Sequence, residues 1–236
     1  MQNYSNERKW VGILVFTVGI LLGFGLTVAS TWANLEADFY GFQHLASDHL
    51  DGVSCPPLMT PHETGLVRVQ AHNPSPKTVE PIYRIDTSSR LAPETRQEQF
   101  VLEPDASREL TQPINAANID LGFFIFAKVY RYPAYPLPSA EAACGSLVLN
   151  LPWLTGEQIY ALWLTLSLVA IPLGLWLWNP SAQPAATKTQ NASRALALLT
   201  LAGLLVGAWA AWLAGVLILA LSVLLAVVTL FVAGQK

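Results

Sequence analysis

The stretch HLASDHLDG gathers His44, Asp48, His49 and Asp51, and Met59 and His62 follow it closely. These are the side chains in the sequence best suited to holding a metal. Imidazole with thioether would suit copper, and imidazole with carboxylate would suit zinc. Their spacing matches no ligand pattern, however, and a solvated polar segment explains the same composition. The expectation is that no metal or other cofactor is bound, with a membrane-bound metalloprotein using His44, His49 and His62 as an alternative. The only two cysteines, Cys55 and Cys144, form no CxxC pair and no Cys/His ligand set. They are expected to join as a disulfide, which persists in an oxidising compartment. Such a bridge would contribute roughly 4–5 kcal/mol by chain entropy, as an upper figure. The sequence contains no GxSxG, HExxH, glycine-rich phosphate loop or haem CxxCH motif. Glu36/Asp38 and Glu103/Asp105 read as ordinary surface charge, so the chain is expected not to be an enzyme.

The elements that must carry these residues follow from composition. Of 236 residues, 53% are hydrophobic and 12% charged, about half the charge of an average soluble protein. Residues 10–33 and 195–233 contain no Lys, Arg, Asp or Glu, which suits hydrocarbon. Trp10 to Ala33 is longer than the apolar core of a cleaved signal peptide and reads as a retained anchor. A second span, over 155–178, opens on TGEQ, where Thr155 and Gln158 can form a capping box. Tyr160 and Trp163 near one end and Trp176 and Trp178 near the other suit the two membrane interfaces. The run from Ala195 to Ala233 would be about 58 Å long as one helix, nearly twice the hydrocarbon thickness. It is therefore read as two spans, 195–213 and 214–233, turning near Trp212 to Gly215.

Orientation follows from the cations. Arg8 and Lys9 precede the first span, Lys188 and Arg194 lie in the loop 179–194, and Lys236 ends the chain, while the flanks on the other side lack Lys and Arg. The N-terminal segment 1–9, the loop 179–194 and the tail 234–236 are expected in the cytoplasm, and residues 34–158 outside it, in a multi-pass plasma-membrane protein of bacterial type. Residues 34–158 hold 8 Lys/Arg against 15 Asp/Glu. An acidic surface of this kind excludes nucleic acid as a partner.

The domain at 34–154 reads as all-β. Val67, Val69 and Ala71 alternate with Arg68 and Gln70; after NPSPK, Val79, Tyr83 and Ile85 alternate with Arg84 and Asp86. This predicts a β-hairpin with one solvated face. QEQFVLEP, LGFFIFAKVYRY and CGSLVLNL supply further strands. In LGFFIFAKVYRY the phenylalanines are expected in the core of a strand covered on both faces. Tyr132, Tyr135 and Pro136 in YRYPAYPLP form a candidate interface loop. Over about a hundred residues the pattern resembles the immunoglobulin-like sandwiches appended to many bacterial envelope proteins, without the central Trp spacing of antibody domains. The fold expected is thus α+β: four transmembrane helices and one extracytoplasmic immunoglobulin-like β-sandwich.

The spans contain no ionisable residue that would mark a transport path. They do contain small residues at helical spacing: Gly12, Gly19 and Gly23 in the first, and Gly203, Gly207, Ala211 and Gly215 in the last run. Such faces let helices approach closely in lipid, either within the chain or against another subunit. The function expected is a non-catalytic accessory or scaffolding subunit of a larger bacterial membrane complex, contacting the lipid bilayer and other integral membrane subunits. The alternative is an envelope receptor or sensor whose sandwich binds a ligand or polymer.

Overall fold

The computed structural model describes residues 2–178, 184–208 and 212–234. Among them the chain is α+β, with four α-helices and two sheets. It divides into two units, one formed by Met1–Thr31 with Ile159–Lys236 and the other by Trp32–Gln158.

The first unit is helical. Helix α1 (Gln2–Phe39) extends past the apolar stretch at both ends, and α2 (Gly156–Trp178) begins at the expected capping box. There the Thr155 N–H donates to Gln158 Oε1 at 3.1 Å and the Gln158 N–H to Thr155 Oγ1 at 3.2 Å. Both helices are long and apolar enough to cross a membrane; the apolar stretches Asn191–Gly207 and Leu213–Leu225 are shorter. The long C-terminal run is divided between α3 (Pro184–Ala208) and α4 (Trp212–Gly234). Helix α3 starts well before the apolar run, so residues 184–194, read from sequence as loop, are helical. The alanines and the absence of any glycine or proline over 185–194 favour this, and proline is tolerated in a first turn.

Register within this unit is set by glycines. A Cβ at Gly12 would meet the Trp178 backbone at 2.6 Å, and one at Gly19 the Ile171 backbone at 2.9 Å. Helices α1 and α2 therefore run antiparallel in close contact. Ser167 on α2 donates to the carbonyl of Gly19 at 2.8 Å. Phe16, Ile20, Ile171 and Ala197 form a shared apolar cluster.

The second unit is built on two sheets. One joins β1 (Val53–Ser54), β3 (Gly65–His72) and β6 (Ser107–Ile114) in the order β1-β3-β6. The other joins β2 (Leu58–Met59), β4 (Ile82–Thr87), β5 (Glu94–Gln99), β7 (Phe124–Arg131) and β8 (Ala140–Val148) in the order β2-β8-β7-β4-β5. The sheets share two apolar cores. Val69, Ala71 and Leu110 meet Tyr83, Ile85 and Val129 in one, and Val67 and Ile114 meet Ile125, Ala127 and Cys144 in the other.

The expected hairpin across NPSPK does not form. Both strands exist with the expected inward faces, but β3 pairs with β1 and β6 while β4 pairs with β5 and β7. The intervening residues carry the chain from one sheet to the other. Asn73, fully buried, holds this crossing by donating to the carbonyls of Lys77, Leu102 and Glu103 at 2.8–3.1 Å and accepting from Ser75. Strand β6 carries Pro113, which an edge strand tolerates because it need not donate on its free side.

Candidate functional site

Strand β7 shows why one cluster of titratable groups is buried. It lies between β8 and β4, and its residues from Phe124 to Tyr130 are all buried. Ile125, Ala127 and Val129 enter the cores between the sheets. On the other face, Phe124 and Phe126 pack with Ala33, Ala37 and Phe42, residues in and just after the last turns of α1. The close approach requires Gly145 on β8. A Cβ there would collide with the carbonyl of Ala33, and the Gly145 N–H donates to Asn34 Oδ1 at 3.0 Å.

Lys128, in the middle of this apolar strand, is 5% exposed at its side chain and needs a partner. Its Nζ lies 2.9 Å from Glu141 Oε1, across the β7–β8 ladder. The same carboxylate oxygen lies 2.8 Å from His44 Nδ1, and its second oxygen accepts the N–H of Leu45 at 2.8 Å and of Ala46 at 3.1 Å. His44 Nδ1 is also 3.0 Å from Lys128 Nζ. Where that nitrogen carries a hydrogen it donates to Glu141; in the tautomer where it does not, it accepts from Lys128. Burial alone would raise the pKa of Glu141. The Leu45 amide, Lys128, His44 and the Ala46 amide outweigh it and bring the value from 4.5 down to about 2.

The candidate metal ligands are thereby dispersed. His44 belongs to the Glu141–Lys128 cluster, whereas His49 pairs with Glu141 through the backbone alone, as an isolated β-bridge. Met59 is buried in β2, and His62 lies in the turn before β3. Among the described residues no group of three His, Cys, Asp or Glu side chains is placed to hold a metal ion. Cys55 and Cys144 are joined in a disulfide, with Cα atoms 5.6 Å apart and a sequence separation of 89.

The loop carrying Tyr132, Tyr135 and Pro136 is exposed at its tip. Tyr135 is 85% exposed, with Lys77 Nζ 5.2 Å from its ring centroid, while Leu137 is buried in the core. Tyr132 packs edge-on against Tyr130 at 4.7 Å, and Pro136 is exposed.

Of the helix-packing residues, Gly203, Gly207 and Gly215 face serines and threonines of α1. A Cβ at Gly203 would lie 3.0 Å from Thr27, one at Gly207 2.6 Å from Ser30 Oγ, and one at Gly215 would collide with Thr31. Gly23 faces Ser167 and Thr200. Ala211 lies outside the described residues. Thr27, Ser30 and Thr31 are not singled out in the sequence; their spacing along one face of α1 was the available signal. Lys128, Glu141 and Asn34 were missed, although a lysine inside FFIFAKVY marks a buried charge in need of a partner.

No known protein family matches the chain, and no curated protein matches it. Among solved structures, the solution structure of AT1g01470 from Arabidopsis thaliana aligns over 50% of this chain and 99% of its own length. The identity is 11% and the TM-score 0.23, a score at which no shared fold is shown.

Proposed function

We propose that the protein is a non-catalytic accessory or scaffolding subunit of a larger bacterial membrane complex. In this reading all four helices span the plasma membrane, both termini are cytoplasmic, and residues 34–158 form an extracytoplasmic immunoglobulin-like sandwich. The observation that carries it is the closed cluster at Glu141. The buried groups that most resemble a reactive site are bound to one another, and through the amides of Leu45 and Ala46 they fasten the segment after α1 to β8. The disulfide adds a second closure of the same domain. Oxidation of that pair supports an extracytoplasmic setting.

Two further features favour assembly with other integral membrane subunits. Helix α2 presents Leu162, Leu166, Val169 and Leu173 as exposed side chains, an apolar surface for lipid or neighbouring helices. The Tyr135 loop offers an aromatic tip backed by the buried Leu137, suited to a protein contact. A photo-crosslinking residue at position 135, in native membranes, tests this contact. One discrete crosslinked species is expected; a chain that crosslinks to nothing would remove the loop from the interface.

A further inference from the structure

One end of the five-stranded sheet exposes a group of apolar side chains. At this end β4 finishes at Thr87 opposite Ala127, β7 starts at Phe124 opposite Leu147, and β8 finishes at Val148. The connections at 88–93, 115–123 and 149–155 therefore leave the same end of the five-stranded sheet. Their tips are apolar and uncovered: Leu91 is 99% exposed, Leu121 57% and Trp153 89%. Phe123 is exposed beside them and contacts the ring of Trp32 at a centroid distance of 6.2 Å.

These tips are held outward by hydrogen bonds at their bases. Ser88 Oγ donates to the Asn118 carbonyl at 2.7 Å and accepts the Phe126 N–H at 2.9 Å, joining the first two loops. Asp120 bonds Tyr40 Oη and accepts the N–H of Leu121. Leu121 has φ 49°, a left-handed conformation that a bulky non-glycine residue rarely adopts. Gly122 follows at φ 86° with open space around it. The turn is thus folded, against backbone preference, into a shape that presents leucine to the outside.

Chain connectivity names the occupant. Trp32 lies in α1, at the end of the charge-free stretch of residues 10–33, and Trp153 precedes Gly156, the first residue of α2, by three residues. Three residues span at most about 11 Å, so Trp153 lies within that distance of the start of α2. Trp32 packs edge-on against both Phe123 and Phe124.

We infer that this end of the β unit is a lipid-interfacial foot, with Leu91, Leu121, Phe123 and Trp153 seated in the headgroup layer of the bilayer that this chain's own helices cross. The inference rests on the membrane reading above. Aromatic and leucine side chains are favourable at that depth, where one end of the residue is apolar and the other wet.

The test uses the full chain in phosphatidylcholine nanodiscs, with spin labels at Leu91→Cys, Leu121→Cys, Tyr135→Cys and Leu14→Cys. All four side chains are exposed, so no core is disturbed, and peptide mapping verifies that Cys55–Cys144 remains paired. Collision with oxygen relative to a water-soluble nickel chelate reports depth. The ratio at 91 and 121 is expected severalfold above that at 135 and below that at 14. If the ratio at either tip equals that at 135 while 14 is shielded from nickel, the foot is overturned and the span stands. If 14 is itself open to nickel, the membrane reading fails and the foot with it.

Discussion

The ammonium of Lys128 lies 2.9 Å from the carboxylate of Glu141, and both side chains are nearly enclosed. A buried ion pair of this kind contributes little net stability against apolar residues of the same shape, but removing one partner strands the other. Lys128→Met or Glu141→Leu alone should each cost about 3–5 kcal/mol. The double variant should cost less than the sum, read by denaturation of the detergent-solubilised protein. Additive losses would show that the two groups are not coupled.

The same cluster gives a pH dependence with a definite sign. The folded pKa of Glu141 is depressed from 4.5 to about 2. Its contribution is therefore complete above about pH 4.5 and lost as pH falls toward 2. Subtracting the acid profile of Glu141→Gln from that of the wild type should leave a slope confined to this window. Parallel profiles would place the shift elsewhere.

The disulfide encloses most of the β unit, so either cysteine variant removes the same bridge. Cys55→Ser, Cys144→Ser and the double variant should lose stability equally, by up to roughly 4–5 kcal/mol. Unequal or additive losses in thermal unfolding would contradict a single linked pair.

In the helical unit, Gly207 and Gly25 make a matched test. A Cβ at Gly207 would meet Ser30 Oγ at 2.6 Å, whereas one at Gly25 meets nothing within 4 Å. Gly207→Leu should lower the stability of the isolated chain by about 1–3 kcal/mol through overpacking, and Gly25→Leu should be close to neutral. Equal behaviour would remove the packing of α3 on α1.

Much of the architecture can be read from patterning. Val67, Val69, Tyr83 and Ile85 announce their strands because period-two alternation reflects one buried face. Thr155 and Gln158 announce the start of α2 because their chemistry is local. Pairing partners are less legible: residues 73–81 look like a turn, yet they cross between sheets, and alternation carries no information on which strand lies alongside. Strand β5, ETRQEQ, lies on a sheet edge and is almost wholly exposed, so it lacks any apolar signature. The Glu141 cluster joins residues up to 97 positions apart, and only the isolated lysine in β7 hints at it. The glycines at 203, 207 and 215 were legible as packing residues, but their partners on α1 were not.

Topology underlies the proposed role. In a background lacking Cys55 and Cys144, Ser139→Cys should react with a membrane-impermeant thiol reagent applied to intact cells. Protection until the cells are lysed would place the β unit in the cytoplasm.

The role itself is tested most directly by purifying the full chain from native membranes in mild detergent and weighing the intact assembly by mass spectrometry. A complex containing further integral membrane subunits at fixed stoichiometry is the predicted result. A lone monomer of 25.7 kDa, from preparations in which the disulfide is intact, would contradict a scaffolding subunit.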